Sequence, residues 1–169
     1  MMTAQSEVIP LKKKVFEDAR GAFVKFFDQE LVNGIKFEMR QQNYVHTKSK
    51  GTLRGLHYQL GEAAEAKIFR VLSGAIQLTC IDVRPESPNR GMSQSLELRE
   101  IGDAYLIPRG YATGYLTLAD DTVVLYMSDN DYAPDQERGI CPSDPAIKID
   151  WLIPDYSTSE KDKNWPRWS

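Results

Sequence analysis

Along most of this chain, apolar and polar residues trade places in short runs, and turn-forming residues separate the runs at near-regular spacing. Residues 8–16 read as a first strand ending at Phe16, and Glu17-Asp18-Ala19-Arg20-Gly21 as a turn, since Asp bonds locally and Gly accepts positive φ. Residues 22–27 are aromatic-rich and fit a strand, and residues 28–34 fit one helical turn stopped by Gly34. In residues 37–45 the polar side chains of Arg40, Gln41, Gln42 and Asn43 crowd an otherwise strand-like segment. Residues 50–59 alternate so that Leu53, Gly55, His57 and Gln59 share one face, with Arg54, Leu56 and Tyr58 on the other. Two apolar runs, 66–71 and 75–83, flank Ser73-Gly74 as a hairpin would, and 111–118 and 122–127 flank Ala119-Asp120-Asp121 in the same way. Between them, 84–91 is a loop and 93–98 and 104–107 are short strands. From Tyr132 onward prolines recur, which suits an irregular tail wrapped on a core, with one helical turn near 157–163.

Many short strands with little helix predict an all-β sandwich or barrel. The chain has 169 residues and no composition break, so residues 1–169 read as a single domain large enough to bury a core. A net charge of −3 and one tight basic run, Lys12-Lys13-Lys14, argue against a nucleic-acid partner. No apolar run approaches the roughly 20 residues that span a bilayer. Residues 1–10 lack a signal-peptide core, and Cys80 and Cys141 form no metal-type spacing, so a cytoplasmic location is expected.

Candidate chemistry narrows quickly. The only histidines are His46 and His57, too few for the histidine-rich metal sites of small β-barrels, so neither metal nor other cofactor is expected. Nucleophile elbows and glycine-rich phosphate loops are absent. Acid–base chemistry remains. His57 titrates near neutrality without tuning, Tyr126 and Tyr132 are possible opposing acids, and an inward-facing Lys67 could stabilise an oxyanion.

Arg54-Gly55-Leu56-His57-Tyr58-Gln59 closely resembles the signature of the dTDP-4-dehydrorhamnose 3,5-epimerases, and the likeness runs almost end to end. It takes in Phe16-x-Asp18-x-Arg20-Gly21-x-Phe23, Gln41-x-Asn43, Ala66-Lys67, Pro108-x-Gly110-Tyr111-Ala112, Leu125-Tyr126, Asp131-Tyr132-x-Pro134 and Ser159-x-Lys161-Asp162. The resemblance implies a cupin-type double-stranded β-helix, or jelly roll, with short peripheral helical turns, acting as a homodimeric, metal-free isomerase. It implies that His57 removes the proton beside the C4 ketone of a nucleotide-diphosphate 4-keto-6-deoxysugar, with Asp162 orienting the imidazole. Lys67 would bond the enolate oxygen and Tyr126 would reprotonate the opposite face. Arg20, Gln41, Asn43, Arg54, Gln59, Thr113 and Tyr132 would hold the substrate.

One departure stands at the site. Relatives read P-x-G-F-A-H-G-F, whereas this chain reads Pro108-Arg109-Gly110-Tyr111-Ala112-Thr113-Gly114-Tyr115, so a threonine replaces the second active-site histidine. The expectation is therefore epimerisation at C3, C5 or both, with a single inversion in view. A 3,4-ketoisomerase on the same scaffold and a non-catalytic sugar-nucleotide binder are the competing readings.

Overall fold

The computed structural model describes residues 7–11, 14–28, 32, 35–99 and 103–168. The strands are β1 (Ile9–Pro10), β2 (Val15–Asp18), β3 (Gly21–Val24), β4 (Gln41–Thr47), β5 (Leu53–Gln59), β6 (Lys67–Ser73), β7 (Ile76–Asp82), β8 (Ser93–Leu98), β9 (Ala104–Ile107), β10 (Tyr111–Thr117), β11 (Thr122–Ser128) and β12 (Glu137–Gly139). A single helical turn, α1 (Glu160–Lys163), lies in the tail. Two five-stranded sheets, β1-β9-β6-β11-β4 and β12-β5-β10-β7-β8, face one another, and β2-β3 form a separate ribbon. Among the described residues every pairing between these named strands is antiparallel, which is the architecture of the expected jelly roll.

Each sheet is covered on both faces. Phe69, Val71, Leu78, Cys80, Leu98, Ile107 and Val124 fill the space between the sheets. Ile68, Leu106, Leu125 and Met127 on the outer face of the first sheet are capped by Phe26, Phe27 and Phe37. Leu56, Ile81 and Ala112 on the outer face of the second are capped by Ile140, Ile147, Trp151 and Trp168 from the tail. This double burial explains why β7, buried at every position, reads as a run rather than an alternation.

Both expected hairpins fail. β6 pairs with β9 and β11, whereas β7 pairs with β8 and β10. The Ser73-Gly74 turn therefore carries the chain from one sheet to the other, and Ala119-Asp120-Asp121 does the same between β10 and β11. A short turn between two apolar runs is compatible with either arrangement, and here the edges of both partners are already taken. The first expected strand divides into β1 and β2, and β2 continues past Phe16 to Asp18 in a tight hairpin with β3. The helical turn expected at 28–34 and the Lys12-Lys13 pair fall mostly outside the described residues. The tail turn is present as α1, capped by Ser159, whose Oγ accepts from the Asp162 N–H at 3.1 Å.

Candidate active site

The facing sheets leave two adjoining cavities of about 300 and 520 Å³ that share His57, Lys67 and Tyr126 in their walls. Strand register builds the first wall. Tyr126 lies opposite Asn43 on one side and Phe69 on the other, and Ser128 lies opposite Gln41 and Lys67. With a side-chain period of two, these residues share the inward face. Gln41, Asn43, Lys67 and Tyr126 are thus brought together as expected.

The second wall departs from simple alternation. His57 pairs with Thr113 and Arg54 with Tyr115, so Gly55 and Leu56 together oppose the single residue Gly114. This extra residue is a β-bulge, and it reverses the facing of the strand on either side. Arg54 and His57, an odd number of positions apart, consequently both line the cleft, while Leu56 points to the outer core. The bulge needs glycine: at Gly55 φ is +121°, and a Cβ would stand 2.5 Å from Gly114 Cα. A glycine within a strand often marks a close backbone approach, and here that approach is to β10.

Asp162 arrives from the tail, which is tied to the start of β5. Ser157 N donates to Gly51 O at 2.8 Å, Leu53 N to Ser157 O at 2.8 Å, and Thr158 Oγ1 to Leu53 O at 2.9 Å. Asp162 Oδ1 then meets His57 Nε2 at 2.6 Å, and Oδ2 accepts from Gly55 N at 3.1 Å. Trp165 Nε1 adds a longer bond of 3.3 Å to Oδ1, and its ring packs edge-on to the imidazole. Burial alone raises the carboxyl's pKa, but the His57 bond and charge, the Gly55 N–H and Trp165 together hold it below the usual carboxylate range. Asp162 is therefore an anion whose bond to His57 Nε2 fixes the imidazole's orientation.

Across the cleft, burial first, then Glu65 and Glu137, push the Tyr126 phenol upward against the opposing pull of Arg54. Tyr126 is thus kept protonated at neutral pH. Lys67 Nζ is paired with Glu65 Oε1 at 2.9 Å, both side chains being nearly buried, and Glu65 Oε2 accepts a hydrogen bond from Ser128.

Other expected residues take different places. Thr113 lines the cleft, but its hydroxyl turns to the His57 carbonyl at 3.5 Å. Tyr132 stands at the rim, donating to Glu137 Oε2 at 2.9 Å. Gln59 does not offer itself to a ligand, because its amide is committed to Ala63 O, Asp131 O and Ala133 N, bracing the loop that carries Tyr132. Arg20 lies outside the cleft altogether. Its guanidinium bonds Asp18 at 2.6 Å on the β2–β3 ribbon, with a side chain 91% exposed. His46 faces outward and meets Asp121 at 3.0 Å.

Sequence reading missed Glu65, Glu137 and Lys161. Lys161 Nζ donates to Glu137 Oε2 at 2.6 Å and sits over the Trp165 ring, so a carboxylate and an ammonium close the cleft's lower edge. The spacing Ser159-x-Lys161-Asp162 around a helical turn was the available signal, because it puts the capped carboxylate and the lysine side by side.

Comparison with known proteins gives one answer. The family model for dTDP-4-dehydrorhamnose 3,5-epimerase matches residues 2–169. An enzyme of that name from Shigella flexneri is 39% identical over 163 residues, covering 94% of this chain and 89% of its own. A crystal structure of the Bacillus anthracis enzyme, with TDP and pyrophosphate bound, superposes with a TM-score of 0.92 at 29% identity, covering 96% of this chain and 94% of that one. A 3'-monoepimerase from Streptomyces bikiniensis in complex with dTDP-quinovose reaches 0.87 at 26% identity, covering 98% and 85%.

Proposed function

The chain belongs to the dTDP-4-dehydrorhamnose 3,5-epimerase family, and we propose that it epimerises a dTDP-linked 4-keto-6-deoxysugar at C3, C5 or both. It is an isomerase of dTDP sugars. The observation that carries the mechanism is the His57–Asp162 pair facing a cleft that also holds Tyr126 and Lys67.

The ketone acidifies its α-hydrogens, so a histidine suffices as base. His57 Nδ1 takes the α-proton, and the C–H electron pair moves through the carbon framework onto the C4 oxygen. The Lys67 ammonium, held by Glu65, stabilises the enolate oxygen by a charge-assisted hydrogen bond. Tyr126 delivers its phenolic proton to the opposite face of the same carbon, and the C4 carbonyl re-forms. Solvent then returns the proton to Tyr126 and removes the one on His57. Arg54, Gln41, Asn43 and Tyr132 would hold the rest of the nucleotide sugar. The likeness to a 3'-monoepimerase, together with Thr113 spending its hydroxyl on a backbone carbonyl, favours a single inversion as the second reading. In the homodimer that the family resemblance implies, the exposed β2–β3 ribbon brings Arg20 to the nucleotide diphosphate of the neighbouring copy.

Deuterium incorporation tests this. With dTDP-4-keto-6-deoxyglucose in D₂O, the wild-type protein should place deuterium at C3, C5 or both, and His57→Asn should abolish exchange. Full exchange by the His57 variant would remove it from the role of base. Movement of the carbonyl to C3 would identify a ketoisomerase.

A further inference from the structure

Thr47 closes β4 on the inward face it shares with Gln41 and Asn43, and it is 5% exposed. Arg54 stands on β5 in the facing sheet, lines the larger cavity and is exposed. One hydrogen bond crosses the gap between the sheets at this point: Arg54 Nε donates to Thr47 Oγ1 at 3.1 Å. The same hydroxyl stands beside the Tyr115 phenol and eases the upward push of burial on it.

This partner sets Arg54 apart. Arg40, Arg84 and Arg109 each meet a carboxylate, from Asp131, Asp82 and Asp129 in turn. Arg54 meets a neutral hydroxyl, and among the described residues no carboxylate pairs with it. A guanidinium is planar, always charged, and presents its N–H donors in a rigid fork with two bidentate edges, Nε with one Nη or both Nη together. The Thr47 bond occupies the first edge. The second, Nη1 and Nη2, is left for an anion, and two parallel donors match two oxygens of a phosphate group.

We propose that Thr47 is a positioning residue: its hydroxyl fixes the Arg54 guanidinium so that Nη1 and Nη2 meet the diphosphate of the bound nucleotide sugar end-on. A diphosphate is chosen over a sugar hydroxyl because the cation has no counter-ion of its own at the cavity wall. Thr47 itself touches no part of the substrate. It acts by removing, before the ligand arrives, side-chain freedom that Arg54 would otherwise lose on binding. The inference rests on the reading of this cleft as the nucleotide-sugar site, and extends that reading to a residue that neither the alternation along β4 nor the family likeness singled out.

Calorimetric titration with dTDP tests it in a double-mutant cycle. Thr47→Val keeps the side chain's shape but removes the acceptor, and should bind dTDP about three- to tenfold more weakly than wild type, the cost of ordering one long side chain on binding. Thr47→Ser keeps the acceptor and should bind as wild type does. With Arg54→Ala in place, adding Thr47→Val should change nothing further, because the group it positions is gone. Should the valine variant fail to fold, Thr47→Ala repeats the comparison without the added methyl. Wild-type affinity in the variant lacking the acceptor would overturn the proposal. So would a full loss persisting in the Arg54→Ala background, which would make Thr47 structural or assign its role to Tyr115, and so would failure of serine to preserve binding. A wild-type protein that shows the coupling but exchanges no deuterium would sink the epimerase reading alone. One that exchanges deuterium without the coupling would sink this inference alone.

Discussion

At the scale of single residues, two of the proposed site groups, His57 and Lys67, are each paired with a carboxylate that fixes their state. Asp162 holds His57 through Nε2, so Asp162→Asn should keep the fold but hand the imidazole a partner that can donate as well as accept. By analogy with catalytic triads, where the equivalent change costs on the order of 10⁴ in rate, a loss of about 10²–10⁴ in kcat is expected, with KM little changed. Steady-state kinetics would check it, and a kcat within a few-fold of wild type would show that orientation is set elsewhere. Glu65 and Lys67 form a second pair, both side chains close to nine-tenths buried. Glu65→Ala leaves an ammonium without its counter-ion, which should cost about 3 kcal/mol of stability. Lys67→Ala added to it should recover part of that loss, since the stranded charge goes too. Urea denaturation of the two variants decides this, and additive losses in the double variant would mean the pair is not coupled.

At the scale of elements, the bulge in β5 decides what the sequence could and could not reveal. Strands β8 and β9, at an edge or next to one, match the sequence expectation at their stated bounds because their apolar pattern is undisturbed. Alternation in β5 placed Arg54 opposite His57, and the structure puts both on the cleft because two residues there oppose one. A bulge changes parity without changing composition, so periodicity alone has no view of it. The site residues on β4, β6 and β11 were legible through the family likeness; that likeness also runs through Glu137-Arg138-Gly139-Ile140, but Glu137's place at the site was not legible, since its strand β12 has only three residues and no pattern of its own. Gly139 on that strand leaves room for Trp165, as a Cβ there would stand 2.2 Å from the indole. Gly139→Ala should therefore push Trp165 off Asp162 and lower activity more than stability, as paired kinetics and melting curves would reveal. The loop after β7 offers a pH handle. Asp82 is buried, which raises its pKa, but bonds from Arg84 and Ser87 outweigh burial and hold it below the usual carboxylate range. The unfolded chain then binds more protons in the interval between the two values. Stability from this group is complete above about pH 4 and is lost as pH falls through the folded value. Asp82→Asn should be less stable than wild type at pH 7, and the gap should narrow on acidification below pH 4.

At the scale of the whole molecule, the β2–β3 ribbon is the piece that the single chain leaves unexplained. It pairs with neither five-stranded sheet. A lone two-stranded hairpin is marginal in water, yet this one shows Phe16 and Phe23 directly across from each other, 58% and 62% exposed. Their rings approach to 6.2 Å, making a compact apolar patch beside Arg20. A soluble protein gains from covering such a patch, and a second copy of the chain is the occupant the family resemblance implies. Coverage by a partner would also explain why Arg20, which the family resemblance expects to hold the substrate, lies outside the cleft of its own chain. If so, Phe23→Asp should convert a dimer to a monomer in sedimentation velocity, since a charge cannot be desolvated at the centre of an apolar contact. Arg20→Ala should leave the dimer intact, raise KM for the dTDP sugar by about tenfold or more, and change kcat little, because it removes binding shared by ground and transition states. A protein that sediments as a monomer from the outset, with Arg20→Ala kinetically silent, would confine the site to one chain and leave the ribbon without a part in catalysis.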